Sequence, residues 1–180
     1  MLPGVSLRSD RIPKPVVLVD TREQRPFALY ASHPNWIGGE RRVALKTGDY
    51  TVEGMESLLA LERKSLEDVV RCTVPPDRER FIAGCKRLAR FRWKAILIEG
   101  SYENLKTDPD EFGIVTDAHP NGVCGTLDAI EAKFGIPIIC TSTHRELATE
   151  RAASWLSKHF TYWWLEQHRY GRVLIDSDEL

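Results

Sequence analysis

No apolar run in the sequence approaches the roughly 20 residues needed to cross a bilayer, so a helical membrane protein is not expected. Arg8, Asp10, Arg11 and Lys14 stand near the start without an apolar segment among them. A secretory signal is therefore not expected, and residues 1–14 are expected to form a flexible tail. Cysteine is sparse: Cys72, Cys85, Cys124 and Cys140 are scattered, with no CxxC pair. That excludes a zinc ribbon or a disulfide framework and fits reduced thiols in a cytoplasmic protein (nuclear in a eukaryote). The five histidines show no ligand spacing. Charge of either sign is not in excess: 25 Lys and Arg face 26 Asp and Glu, for a net charge of −1. A surface that binds nucleic acid must then be local, because phosphate contacts need clustered cations. What is present is one chain of 180 residues with 42% hydrophobic content, enough for a single domain with a sizeable core. That domain is expected over 15–170, with a second tail at 171–180.

Pro15 to Asp20 (PVVLVD) is a short β-branched run with an acidic end, the pattern of a buried strand meeting a site. A Pro-, Asn- and Gly-rich loop follows over 26–39. Strand pieces are expected at 42–46 and 50–52, interrupted by Thr47-Gly48, and again at 58–64. Ser65 with Asp68 three residues on predicts a capped helix ending near Val74, which Pro75-Pro76 breaks. Asp77 is expected to cap a second helix to about Phe91. Lys94 to Glu99 (KAILIE) predicts a central strand, 122–135 a helix, and 136–140 the last strand. Thr143 is expected to cap a long final helix over 144–168. Strands alternating with helices, and a hairpin in the first half, predict an α/β domain.

The chemistry-bearing stretch is Gly48-Asp49-Tyr50 followed by Glu62-Arg63-Lys64. In a strand, Glu62 and Lys64 share a face and Arg63 points the other way. A hairpin folded about the Met55–Glu56 step sets Asp49 opposite Glu62, with β-carbons about 4.5–5.5 Å apart. Two such carboxylates repel, and Asp is a poor strand residue. A divalent cation between them, Mg²⁺ or Mn²⁺, accounts for the cost. Lys64 beside it would steady a phosphate or an attacking hydroxide by direct charge. Solvated charges on a hairpin give the same spacing, so the pattern alone is weak.

Its surroundings are not. Val19-Asp20-Thr21-Arg22-Glu23, then Gly48-Asp49, then Glu62-Arg63-Lys64-Ser65-x-x-Asp68 resembles in order and spacing the signature of the XPF-type structure-specific nucleases: V-D-x-R-E, G-D and E-R-K-x-x-x-D. Ile96 to Gly100 looks like that family's central strand. The resemblance spans roughly residues 16–165 and implies a restriction-endonuclease-like mixed sheet flanked by helices and a Mg²⁺- or Mn²⁺-dependent endonuclease. Carried over residue by residue, it implies metal binding by Asp49, Glu62 and Asp20, with Glu23 a weaker member, and a catalytic role for Lys64. Arg22 and Arg63 would hold phosphate or brace the acidic cluster. Asp68 would orient Lys64 or Arg63, or simply serve the helix dipole as a first-turn acid. The chain departs from the family at Val74-Pro75-Pro76-Asp77-Arg78, where relatives carry a glycine-arginine turn and a glutamine. Members often add a tandem helix–hairpin–helix domain, for which these 180 residues leave no room, so a separate duplex-binding partner is a further expectation.

Arg78, Arg80, Lys86, Arg87, Arg90, Arg92 and Lys94 face only Asp77 and Glu79, and offer the local positive face, or else a solvated helix side. DNA-binding residues are expected at Arg78, Arg80, Lys86, Arg87 and Arg90. The stripe Ala148, Ala152, Trp155, Leu156, Phe160 and Trp163 is core or, as the resemblance implies, a homodimer interface. Two functions follow: an active endonuclease on branched or flap DNA in repair or recombination, or a non-catalytic DNA-binding scaffold with the same fold. The intact acidic set favours the first.

Overall fold

The computed structural model describes residues 12–169; the expected tail over 171–180 and all but the last three residues of that over 1–14 lie outside the described residues. Ile12 is already buried, and the Lys14 ammonium donates to the Pro34 carbonyl at 2.8 Å.

Six strands form one mixed sheet in the order β2-β1-β3-β4-β5-β6. The strands are β1 (Val16–Asp20), β2 (Gly39–Val43), β3 (Tyr50–Val52), β4 (Leu59–Ser65), β5 (Trp93–Glu99) and β6 (Ile138–Cys140). β3 and β4 make the expected hairpin, and β4, β5 and β6 run parallel. The first half corrects the expectation at 42–46. β2 starts at Gly39, stops at Val43, and lies parallel to β1 on the side away from β3. Its sequence GERRV has no hydrophobic alternation because it is an edge strand. Charged residues such as Arg41 and Arg42 there also discourage edge pairing with other chains.

Alternation along the strands sorts side chains onto two faces. Val17, Val19, Tyr50, Val52, Leu59, Leu61, Ala95 and Leu97 face one helical layer: the short α1 (Leu29–Ser32) and the long α6 (Arg145–Gln167). α6 lays Ala148, Ala152, Trp155, Leu156 and Phe160 on them, so its aromatic stripe is core. Ala60, Ile96 and Ile98 face the other layer: α2 (Leu66–Cys72), α3 (Asp77–Leu88), α4 (Tyr102–Lys106) and α5 (Pro120–Phe134). The β5 side chains Ile96, Leu97 and Ile98 are wholly buried, each contributing about 1.5–3 kcal/mol through apolar transfer. β5 is therefore the spine against which both layers pack.

Helix ends follow local chemistry. The Ser65 hydroxyl accepts from the Asp68 amide, as expected, and starts α2 directly after β4. α3 stops at Leu88 rather than Phe91, and α5 begins two residues early because Pro120 suits the first helical position. Thr143 does not cap α6; His144 holds that position, and the Ser142 hydroxyl accepts its amide at 3.1 Å. α4, which the sequence expectation omitted, carries a capping box between Ser101 and Asn104.

Candidate active site

The site lies where β1, β3 and β4 approach one another on the α2–α3 face. Asp20 ends β1, and its amide donates to the Asp49 carbonyl at 2.8 Å. The hairpin register pairs Tyr50 with Leu61, as the fold about Met55–Glu56 requires. Asp49 straddles Glu62. Its amide donates to the Leu61 carbonyl at 2.9 Å, and its carboxylate accepts the Arg63 amide at 2.7 Å. Gly48 makes this possible: it sits at φ +80°, and a β-carbon there would come within 3.1 Å of the Ala60 β-carbon. A side chain at that point would push the turn off β4 and carry Asp49 with it. The structure thus aligns Asp20 of β1, Asp49 just ahead of β3 and Glu62 of β4, with the Lys64 ammonium 2.7 Å from Glu62.

The electrostatics separate these carboxylates. Burial, and then the charge of Glu62, lift Asp49 to about 7, against the opposing hydrogen bond from Arg63 and the charge of Lys64. Asp20 is instead held below the usual carboxylate range by Arg22, which binds both its oxygens at 3.0 and 2.6 Å and adds a main-chain bond at 2.7 Å. Burial works against the charge of Lys64, but Glu62 and Asp49 together outweigh it and raise its pKa. Lys64 is a fixed cation.

Among the described residues no three acidic, histidine or cysteine side chains converge closely enough to hold a metal by themselves. Asp49 and Glu62 nonetheless form an under-compensated oxygen pair. Mg²⁺ commonly takes one or two carboxylates and completes its shell with water and phosphate. The donor set fits such an ion, with Asp20 adjacent but engaged by Arg22.

Three expected site residues stand apart from this row: Glu23 away from its expected place, Arg63 and Asp68 in the bracing and helix-start positions that the sequence left open for them. Glu23 turns to the α6 side of the sheet, where its carboxylate faces the Arg63 guanidinium at 3.4 Å and accepts the Arg25 amide. Arg63, on that same side and only 8% exposed, is bound to Glu99 as well, so it braces acids rather than meeting phosphate. Asp68 takes the Ser65 hydroxyl at 2.7 Å and does not bind Lys64 or Arg63. Its place is the helix start, where a first-turn acid is favourable. Sequence reasoning missed Arg145, which binds both oxygens of Glu99 at 3.1 and 3.0 Å from 46 residues away. No local spacing signals such a pair.

The basic stripe is shorter than expected. Because α3 stops at Leu88, Lys94 lies in β5, and its ammonium closes the helix end by binding the Ala89 and Phe91 carbonyls. Arg92 pairs with Glu166 and stacks on Trp93. Arg78 donates to the Thr73 carbonyl at 2.8 Å and the Thr126 hydroxyl at 3.0 Å, tying α3 to its neighbours. Arg80, Lys86, Arg87 and Arg90 stay exposed. Lys86, Glu79 and Ile82 border an open groove of about 730 Å³ beside Pro75-Pro76.

A mixed sheet that presents acids and a lysine at its central strand ends, with helices on both faces, defines a restriction-endonuclease-like α/β domain. The chain belongs to the ERCC4 domain family, whose model matches residues 19–150. Its fold is similar to that of XPF from Aeropyrum pernix, with a TM-score of 0.61 at 19% identity over 87% of this chain and 69% of that one. The structure of XPF from Aeropyrum pernix in complex with DNA gives a TM-score of 0.58 at 18% identity, over 92% of this chain and 70% of that one. No curated protein matches the chain. No helix among the described residues is long and apolar enough to cross a membrane.

Proposed function

We propose that this chain is a divalent-metal-dependent DNA endonuclease that cuts branched, flap or otherwise structured DNA in repair or recombination. The observation that carries the proposal is the cross-strand row Asp20, Asp49, Glu62 with Lys64 beside it, in a member of the ERCC4 domain family. The similar Aeropyrum XPF has been solved with DNA, which supports the substrate class.

Asp49 and Glu62 would hold Mg²⁺ or Mn²⁺, with Asp20 as a third ligand when Arg22 yields it. When bound, such an ion supplies an acidified water and polarises a phosphoryl oxygen. The chain's own residues do the rest. Lys64 holds a permanent positive charge where a phosphate would gain negative charge. Arg22, with its side chain 71% exposed, is placed to exchange Asp20 for a phosphate oxygen. Arg80, Lys86, Arg87 and Arg90 steer the DNA backbone. A separate partner that grips duplex DNA belongs to the same proposal. So does a homodimer through α6, near whose end Tyr162, Trp163 and Trp164 are half-buried, the two tryptophans packed on the core.

The test is cleavage of labelled fork, flap, duplex and single-stranded DNA with Mg²⁺ or Mn²⁺ and with a chelator. Metal-dependent cutting that favours fork or flap is expected. Binding without cutting on every substrate, with the protein folded, would establish a scaffold instead.

The cations should divide by role. Arg87→Ala and Arg90→Ala are each expected to reduce the slope of log affinity against log salt by about 1. Arg78→Ala should leave that slope unchanged and lower stability by about 1 kcal/mol, because its guanidinium is already engaged by Thr73 and Thr126. Equal slopes for all three variants would remove Arg87 and Arg90 from the DNA face.

A further inference from the structure

On the side of the sheet away from Lys64, the side chains of Glu23, Arg63 and Glu99 are 9%, 7% and 11% exposed. Charges this secluded require partners, and the two acids outnumber Arg63. Arg145, in the first turn of α6, restores the balance. It binds both Glu99 oxygens, and its other nitrogen donates to the Arg25 carbonyl and, at 2.9 Å, to the Pro26 carbonyl. The Phe27 ring lies under both guanidiniums, 4.8 Å from that of Arg145 and 5.4 Å from that of Arg63.

Two lines run from this cluster through the sheet. Glu99 fixes the side chain of Arg63, whose main-chain amide holds the Asp49 carboxylate. The Arg25 and Pro26 carbonyls anchor the loop that carries Arg22, which holds Asp20. We infer that Arg145 is a positioning residue that sets the Asp20 and Asp49 carboxylates from the opposite face of the sheet. The inference rests on the proposed endonuclease reading for its catalytic consequence, but not for its geometry. Outer partners of a metal site typically govern affinity or activity by about 10–100-fold.

The test compares wild type with Arg145→Met, Arg145→Lys and Glu99→Gln. In metal-free protein, the hydrogen-exchange rate of the Arg63 amide reports directly on its bond to Asp49. Arg145→Met is expected to speed that exchange while the Leu97 amide, in the β5 spine, keeps its rate. With metal and DNA, the same variant should raise the Mn²⁺ concentration for half-maximal cutting about 10–100-fold. Its KM for DNA should stay within about twofold. Arg145→Lys keeps the charge but loses the forked geometry, and should fall between Arg145→Met and wild type. A role confined to docking α6 would lower Tm yet leave the Arg63 amide and the Mn²⁺ requirement as in wild type, and that result would overturn the inference. Should Arg145→Met not fold, Arg145→Lys and Glu99→Gln decide by the same readouts. If wild type cuts nothing, the endonuclease reading fails while the metal-free amide measurement still judges the positioning.

Discussion

Lys64→Met is expected to slow single-turnover cleavage by about 10²–10³-fold while DNA affinity changes less than about threefold. The expectation follows from where the ammonium stands. It lies 2.7 Å from Glu62 and 6.0 Å from the centre of the Phe81 ring, with its side chain about four-fifths buried. Burial alone would drive such an amine toward neutrality, and a neutral lysine serves as a proton acceptor. Here Glu62 and Asp49 reverse that tendency and keep the ammonium charged across the physiological range. Lys64 is therefore expected to act as fixed charge rather than as a base. Methionine preserves the length and the contact with Phe81 while removing the charge, so a loss of rate reports electrostatics rather than packing. Two observations would count against this role: an unchanged rate in Lys64→Met, or a wild-type rate that climbs tenfold per pH unit well above neutrality as the lysine deprotonates.

Legibility in the sequence followed the range of the interaction concerned. β1, β4 and β5 are visible as short, largely apolar runs and α6 as a helical period, all countable in neighbouring residues. The opposition of Asp49 and Glu62 was visible for the same reason, since a hairpin's register is local arithmetic. β2 was misplaced because an edge strand hides no apolar face, and its parallel pairing with β1 depends on the chain crossing over through α1. The basic stripe was overextended because Lys94 has helical spacing from Lys86 and Arg90, while the helix had already ended at Leu88. α4 did carry a readable signal, the Ser101–Asn104 box, but five residues of mostly polar helix give no periodicity to support it. Glu99 with Arg145, and Glu23 with Arg63, are pairs that only the assembled sheet brings together. The acids of the proposed site can thus be picked from the sequence, with Glu23 the exception, while how they are held can be read only from the fold.

The same geometry predicts that Asp49→Asn will be inactive and yet more stable than wild type at pH 8 without metal. In metal-free protein the Asp49 charge is destabilising because burial and Glu62 both oppose it. A carboxyl lifted from 3.8 to about 7 keeps its proton in the folded state while the unfolded chain has lost it. Its contribution to stability is complete below about pH 4 and is lost as pH rises through about 7. At pH 8 that loss is on the order of 2–4 kcal/mol, and the neutral asparagine avoids it. Asparagine's side-chain oxygen can still accept the Arg63 amide, so the hydrogen bond at this position survives. Urea denaturation should thus show a gap between the two proteins at pH 8 that narrows toward pH 5, where wild-type Asp49 is protonated as well. Millimolar Mg²⁺ should then stabilise wild type at pH 8 and leave Asp49→Asn unmoved, because binding to the folded state alone raises stability by mass action. Equal stabilities at pH 8 would mean that Asp49 is not crowded by Glu62, and a Mg²⁺ response in Asp49→Asn equal to wild type would move the ion away from this pair. The stability gained on removing one charge is the cost the fold bears for burying a carboxylate and setting a second beside it.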